Sequence, residues 1–88
     1  MPGFVLQVRP RGDDDRAIRV GFTVTKKVGN AVVRNRMKRR LRALAREHLP
    51  SLGVLGADHV LIGRAGGIER NFATLSTELQ RALAKASR

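Results

Sequence analysis

The segment from Lys26 to Arg46, KKVGNAVVRNRMKRRLRALAR, constrains the fold of this chain more than any other stretch. It holds nine Lys or Arg residues and no Asp or Glu, which is half of the 18 basic residues of an 88-residue chain. In a helix beginning near Asn30, successive side chains turn by about 100°. One stripe is then apolar apart from a histidine, and it comprises Val33, Met37, Leu41, Leu44 and His48. The rest of the helix is cationic, which predicts a core on one side and a polyphosphate partner on the other.

Composition limits the class of protein. A chain of 88 residues makes one domain, residues 1–88, with a modest core. The net charge of +11 indicates nucleic acid as the first partner to consider, ahead of an anionic membrane surface. The chain has no cysteine, no apolar run of 18 residues and no signal-peptide pattern. We therefore expect a cytoplasmic protein with no disulfide, no thiolate metal site and no membrane partner.

Alternation of apolar and polar residues predicts three strands. Residues 3–10 and 17–25 both alternate, and the polar residues 11–16 separate them, so we expect an antiparallel hairpin with a loop of about five or six residues. Residues 58–65, DHVLIGRA, are a short apolar run typical of a buried strand.

Two helices are predicted. Asn30 is a suitable N-cap for the basic helix, which we expect to run to about His48 and to end before Pro50. After a turn at residues 66–67, Asn71 caps a last helix, in which apolar side chains recur at helical spacing at Phe72, Leu75, Leu79, Leu83 and Ala86. The β-β-α-β-α order predicts an α+β domain, in which a small sheet packs against a long basic crossover helix and a C-terminal helix.

Residues 19–42, RVGFTVTKKVGNAVVRNRMKRRLR, resemble the protein subunit of bacterial ribonuclease P. The strand ending in TKK, the GNAVVRN turn and the RNRMKRRLR run carry the resemblance, and the family calls the last of these the RNR motif. FVLQVRP, ADHVLIGRAG and NFATLSTELQRAL extend the similarity over nearly all of residues 3–86. Family members carry a further N-terminal helix before the first strand, which this chain is expected to lack. Three explanations stay open: a start codon placed too late, a trimmed chain, or a true absence of this helix.

The resemblance implies a fold and a function. The fold would be a ribosomal-protein-S5-like two-layer sandwich with a left-handed βαβ crossover through the RNR helix, against the usual right-handed rule. The family's enzyme removes the 5′ leader of precursor tRNA, and a catalytic RNA does the chemistry with Mg²⁺. The protein would then supply no catalytic group and bind no cofactor itself. Its partners would be the ribonuclease P RNA and precursor tRNA, with no small-molecule substrate.

The basic segment supplies the candidate RNA contacts. Arginine dominates it, and the guanidinium fork forms bidentate contacts with phosphate. A helix of this kind cannot enter the deep, narrow major groove of regular RNA duplex, so it is expected to recognise a folded shape. The predicted contacts are Lys26, Lys27, Asn30, Arg34, Asn35, Arg36, Lys38, Arg39, Arg42 and Arg46.

One face of the sheet is the second candidate surface. In the family, a central cleft holds the 5′ leader, and the face opposite Phe4 and Phe22 would be the corresponding surface here. The candidate residues on that face are Val5, Gln7, Thr23 and Thr25. The simpler interpretation is an ordinary solvent-facing strand surface.

Several alternatives stay open at this point. The three acids at residues 13–15 suit Mg²⁺, but such a run is more often a solvated loop. His48 and His59, with a lysine, are the groups that a protein-only ribonuclease needs, although His48 lies on the apolar stripe, where a packed histidine is expected. A basic ribosomal or RNA-architectural protein has the same composition. A DNA-binding module is disfavoured because no helix-turn-helix pair or zinc-ligand spacing is present.

Overall fold

A computed structural model of the chain describes residues 3–87. It contains three strands, β1 (Phe4–Pro10), β2 (Arg19–Thr23) and β3 (Ala57–Gly63), and two helices, α1 (Ala31–Leu52) and α2 (Phe72–Ala86). A short 3₁₀ turn at Ala65–Gly67 joins β3 to α2. The predicted α+β class and element order are confirmed. Within residues 3–87, no helix has both the length and the apolar character needed to cross a bilayer.

The predicted hairpin between β1 and β2 is wrong, because β3 lies between them. The sheet order is β1-β3-β2, with β3 antiparallel to β1 and parallel to β2. Pro10 pairs with Ala57 and Arg19 pairs with Asp58, so both outer strands flank the same end of β3. The connection therefore crosses only two strand spacings, about 10 Å, which a loop suited to a hairpin also spans. The left-handed crossover through α1 stays a prediction.

Arg11 holds the loop between β1 and β2 in place. Its guanidinium donates to the Asp58 carboxylate at 3.1 Å and to the carbonyls of Asp15 and Ala17 at 2.9 and 2.6 Å. The Ala17 N–H donates to the Asp15 carboxylate at 2.8 Å, and this bond, aided by the charge of Arg11, lowers the pKa of Asp15 below its ordinary value. Asp13 also accepts from Arg11, at 3.2 Å. The loop acids thus order the loop, and within residues 3–87 no three metal-ligating side chains cluster.

Helix α1 begins as predicted and ends later than predicted. The Asn30 side-chain oxygen accepts the Val33 N–H at 3.0 Å, the expected N-cap. The helix continues through Pro50 to Leu52. A proline in the last turn removes only one backbone hydrogen bond, the one to the carbonyl four residues earlier. The Gly53 N–H still donates to the Leu49 carbonyl at 2.9 Å, so the final turn closes around Pro50.

The predicted apolar stripe of α1 forms the centre of the core. Met37, Leu41 and Leu44 are fully buried and His48 is 6% exposed, whereas Val33 is only half-buried. They pack against the sheet and against α2. The remaining fully or nearly fully buried apolar side chains are Phe4, Val24, Ala45, Leu49, Ala57, Leu61, Leu75, Leu79 and Leu83.

Arg40 ties the connection between β3 and α2 to helix α1. Its guanidinium donates to the carbonyls of Gly67, Ile68 and Arg70 at 2.9, 2.8 and 2.7 Å. The side chain is partly buried, and its hydrogen bonds satisfy carbonyls in a segment that has little regular structure of its own. Arg40 therefore has a structural role that its basic neighbours do not share.

Gly67 should be intolerant of any side chain. A Cβ there would collide with the carbonyl oxygen of Gly3 and lie 2.7 Å from Met37 Cε, so the start of β1 or the core would have to move. We expect Gly67→Ala to lower the free energy of unfolding by about 1–3 kcal/mol in urea titrations. Gly66→Ala is the matched control, since its Cβ would meet nothing within 4 Å. Equal stabilities for the two variants would contradict the close packing described here.

Replacing Arg40 should destabilise the fold, whereas replacing its neighbour should not. Arg40→Met would leave three carbonyls without their charged donor, and we expect a loss of about 2–4 kcal/mol in the free energy of unfolding. Arg39→Met removes the same charge from an exposed position and should change stability little. Chemical denaturation of both variants makes the comparison. If Arg40→Met is as stable as the parent chain, Arg40 does not secure this connection.

Candidate nucleic-acid interface

A lysine-bearing turn leads from β2 into α1. The Val28 N–H donates to the Thr25 carbonyl at 3.0 Å, closing a four-residue turn with Lys26 and Lys27 at its two central positions. Both lysines are exposed. The first turn of α1 contains no acidic residue, so no side chain there offsets the positive end of the helix dipole. The entry to the helix is therefore a favourable place for an anion.

The outward face of α1 carries most of the predicted RNA contacts. Arg34 and Lys38 are half-buried along its margin. Asn30 is exposed, but its side-chain oxygen is engaged in the N-cap, which leaves only its amide hydrogens for another partner. The exposed members of the predicted set are Lys26, Lys27, Asn30, Asn35, Arg36, Arg39, Arg42 and Arg46.

The positive charge of this segment is not neutralised by ion pairs within residues 3–87. The ion pairs in residues 3–87 engage Arg11, Arg19, Arg70 and His48, and none engages a basic residue of the 26–46 segment. Of the nine basic residues in that segment, Arg40 is the one whose guanidinium donates to backbone carbonyls within residues 3–87. Within the described residues, the Nε of Arg34 is buried without a hydrogen-bond partner. We call this set of unpaired cations, without Arg40, the basic surface.

The sheet register brings the second predicted set together on one face. Val5 and Thr23 both lie opposite Ile62 on the central strand, and Gln7 lies two pairs further along, opposite Val60. Gln7 and Thr23 are exposed, as is Thr25, which follows the end of β2. The helices pack against the other face, where side chains such as Phe4 are buried. The four predicted residues therefore line or adjoin an open sheet face.

The two histidines have structural roles on different elements. The His59 ring is fully buried; its Nε2 accepts the Val54 N–H at 3.0 Å, and its Nδ1 donates to the Arg19 carbonyl at 3.2 Å. His48 Nε2 lies 2.6 Å from the Ser76 hydroxyl. The packed state predicted for His48 is confirmed. Neither ring is presented to a substrate in the way that acid–base cleavage requires.

Sequence reasoning missed two features of this region. It left Arg40 without a role, although Arg40 lies three residues after Met37 and four before Leu44 and so adjoins the apolar stripe of the helix. It also missed the contact between Arg42 and Phe22, whose guanidinium and ring lie 5.8 Å apart, a cation–π geometry that links α1 to β2. The predicted amphipathic rotation of α1 is the only sequence signal that bears on these two features.

Comparison with known proteins agrees with this arrangement. The family described as Ribonuclease P matches residues 1–87. The chain is 58% identical over 85 residues to the ribonuclease P protein component of Erythrobacter litoralis, covering 97% of this chain and 69% of that protein. It is 56% identical to the protein of the same name from Gluconacetobacter diazotrophicus, covering 97% of this chain and 72% of the relative.

Solved structures show the same fold. The RNase P protein of Staphylococcus aureus is 31% identical with a TM-score of 0.74, covering 94% of this chain and 73% of that one. The RNase P protein of Thermotoga maritima is 30% identical with a TM-score of 0.77, covering 93% and 76%. The match runs through the basic helix and the mixed sheet alike. This chain therefore belongs to the ribonuclease P protein family.

Proposed function

We propose that this chain docks on the catalytic RNA of ribonuclease P through the basic surface and thereby supports removal of the 5′ leader from precursor tRNA. The observation that carries the proposal is the set of Lys and Arg side chains that the fold orients outward and leaves without acidic partners. The apolar face of α1 is buried, so the helix cannot rotate to hide them. Guanidinium groups carried outward on a packed helix suit bidentate contacts with the phosphates of an RNA backbone.

Two details support docking through α1 in particular. The lysine turn and the uncompensated helix N-terminus extend the positive surface beyond the helix. Asn35 is exposed between two arginines and is able to pair with a sugar hydroxyl or base edge.

The open sheet face is our candidate for contact with the 5′ leader. It adjoins the lysine turn, since β2 leads directly into that turn from Thr23. Gln7 and Thr23 would offer hydrogen bonds, while Val5 and Ile62 would offer apolar area to an unstacked base. Single-stranded RNA is recognised by this combination of polar edges and apolar contact.

The RNA, with Mg²⁺, would carry out the hydrolysis. The chain would contribute charge neutralisation, which favours the folded RNA and its metal sites, and orientation of the leader. The histidines are occupied in packing, so we assign no general acid or base to the protein. A basic RNA-architectural protein with no part in cleavage is the alternative, and the cleavage assay separates the two.

The deciding experiment is cleavage of precursor tRNA by the cognate ribonuclease P RNA at low Mg²⁺, with and without the chain. We expect strong stimulation of leader removal and no cleavage by the protein alone. RNA binding without stimulation would favour the architectural alternative. Cleavage by the protein alone, abolished by substituting His48 or His59, would instead indicate a protein ribonuclease.

Neutralising two arginines of the basic surface should weaken docking specifically. Because hydrogen bonds to charged partners are each worth about 1.5–3 kcal/mol, Arg36→Gln with Arg39→Gln should raise the Kd for ribonuclease P RNA by at least about a hundredfold. The matched control is Arg81→Gln with Lys85→Gln, which removes the same charge from exposed positions on α2. Filter binding measures both. Equal losses for the two double variants would mean that net charge, not this surface, sets the affinity.

RNA affinity should fall steeply with salt. If the basic surface neutralises about six to eight phosphates, log K plotted against log salt should have a slope of roughly −4 to −7. Titrations at several potassium concentrations give the slope. A value near −1 would contradict docking through this array of cations.

A further inference from the structure

A groove lies between the outer edge of β2 and the C-terminal half of α1, on the helix side of the sheet and away from the open face. Its volume is about 490 Å³, within the range of small-ligand sites. The groove exists because β2 is an edge strand. One edge of β2 pairs with β3, its other edge has no neighbouring strand, and α1 covers only part of β2. Val20, on its floor, is 40% exposed, unusual for a valine beside a core.

The lining of the groove is apolar and partly planar. Ile18, Val20 and Phe22 form the strand side, and Leu49 and Pro50 form the helix side. The Phe22 ring is half-buried, so part of it is available for contact. The Phe22 ring within this apolar lining suits a planar occupant, because aromatic rings pair favourably by offset stacking or edge-to-face contact.

The rim of the groove is cationic. Arg42 and Arg46 line it one helical turn apart, both are exposed, and neither is ion-paired within residues 3–87. The Arg42 guanidinium already lies 5.8 Å from the Phe22 ring centroid, at the junction of rim and floor. An occupant that matches this groove has a planar apolar body and an anionic group. Both arginines also belong to the basic surface, so the groove is continuous with it.

We propose that this groove binds one unpaired nucleotide of the RNA partner, with its base against Val20 and Phe22 and its phosphate between Arg42 and Arg46. The inference rests on the proposed function, because it takes the occupant from the same RNA. It adds a base-binding pocket beside cations that would otherwise contact phosphate. Stacking of a base on an aromatic ring is tolerant of sequence, so the pocket would select an unstacked nucleotide rather than a particular base.

Titration of the isotope-labelled chain with AMP, followed by amide NMR, tests the pocket directly. We expect AMP to shift the amide signals of Val20, Phe22 and Leu49 together. Inorganic phosphate alone should shift only signals near the two arginines, and adenosine alone should shift the strand signals more weakly. If phosphate reproduces the whole AMP pattern, or AMP shifts none of these signals, the groove does not accept a base.

A single substitution makes the test specific. Val20→Glu places a carboxylate in the groove without touching a fully buried position, and it should weaken AMP binding by about tenfold or more. Val32→Glu is the control: Val32 is 68% exposed and lies about 20 Å along α1 from the rim. Thermal melts establish that both variants fold. Equal AMP binding by the two variants would overturn the proposal.

Three further outcomes distinguish the groove proposal from self-association and from the proposed function. If sedimentation shows a dimer of the chain that Val20→Glu disperses, a second copy covers the groove and the nucleotide proposal is wrong. If the chain docks on ribonuclease P RNA with the expected salt dependence but AMP does not bind, only the groove proposal fails. If AMP binds in the groove while the RNA does not dock, only the proposed function fails.

Discussion

Burial of one stripe of helix α1 is the constraint on which the rest of the structure depends. Met37, Leu41 and Leu44 are completely removed from solvent, and each such side chain contributes about 1.5–3 kcal/mol when it is buried. Turning the helix by one residue would expose them and bury arginines, and an unpaired buried charge costs several kcal/mol. The core and the basic surface are therefore two consequences of one helical pattern. The same burial holds α1 against β3 and α2, so the cations stand on a rigid support.

The arrangement has an energetic cost that a polyanion would relieve. Like charges along α1 repel one another, and within residues 3–87 no acidic side chain is ion-paired with them. Packing of the apolar stripe and the hydrogen bonds of Arg40 offset this repulsion in the free protein. A ligand that binds only the folded form stabilises it in proportion to the logarithm of its concentration. We therefore infer that the fold is organised for a partner that supplies the missing negative charge.

The strands and helices were predictable from the sequence, but the order of the strands in the sheet was not. Alternation of side chains identified β1 and β2, but it reports which face each residue occupies and not which strand lies beside which. A loop of this length closes a hairpin or passes the end of an intervening strand equally well. The central place of β3 follows from pairing along both of its edges, and Arg11 secures it by joining the loop to Asp58. The end of α1 was equally hard to predict. Pro50 does not end the helix, because the backbone hydrogen bond from Gly53 to Leu49 still forms beyond it.

Local periodicity and composition are enough to predict the class of fold, the amphipathic rotation of α1, its Asn30 cap and the cationic character of its outer face. Three features depend on long-range packing. They are the strand order, the backbone carbonyls that Arg40 but not Arg39 contacts, and the groove beneath Arg42 and Arg46. Adjacent arginines are chemically identical, and only the position of the carbonyls of residues 67–70 makes one of them structural. The helical period places Arg40 next to the apolar stripe, but only long-range packing brings those carbonyls within its reach.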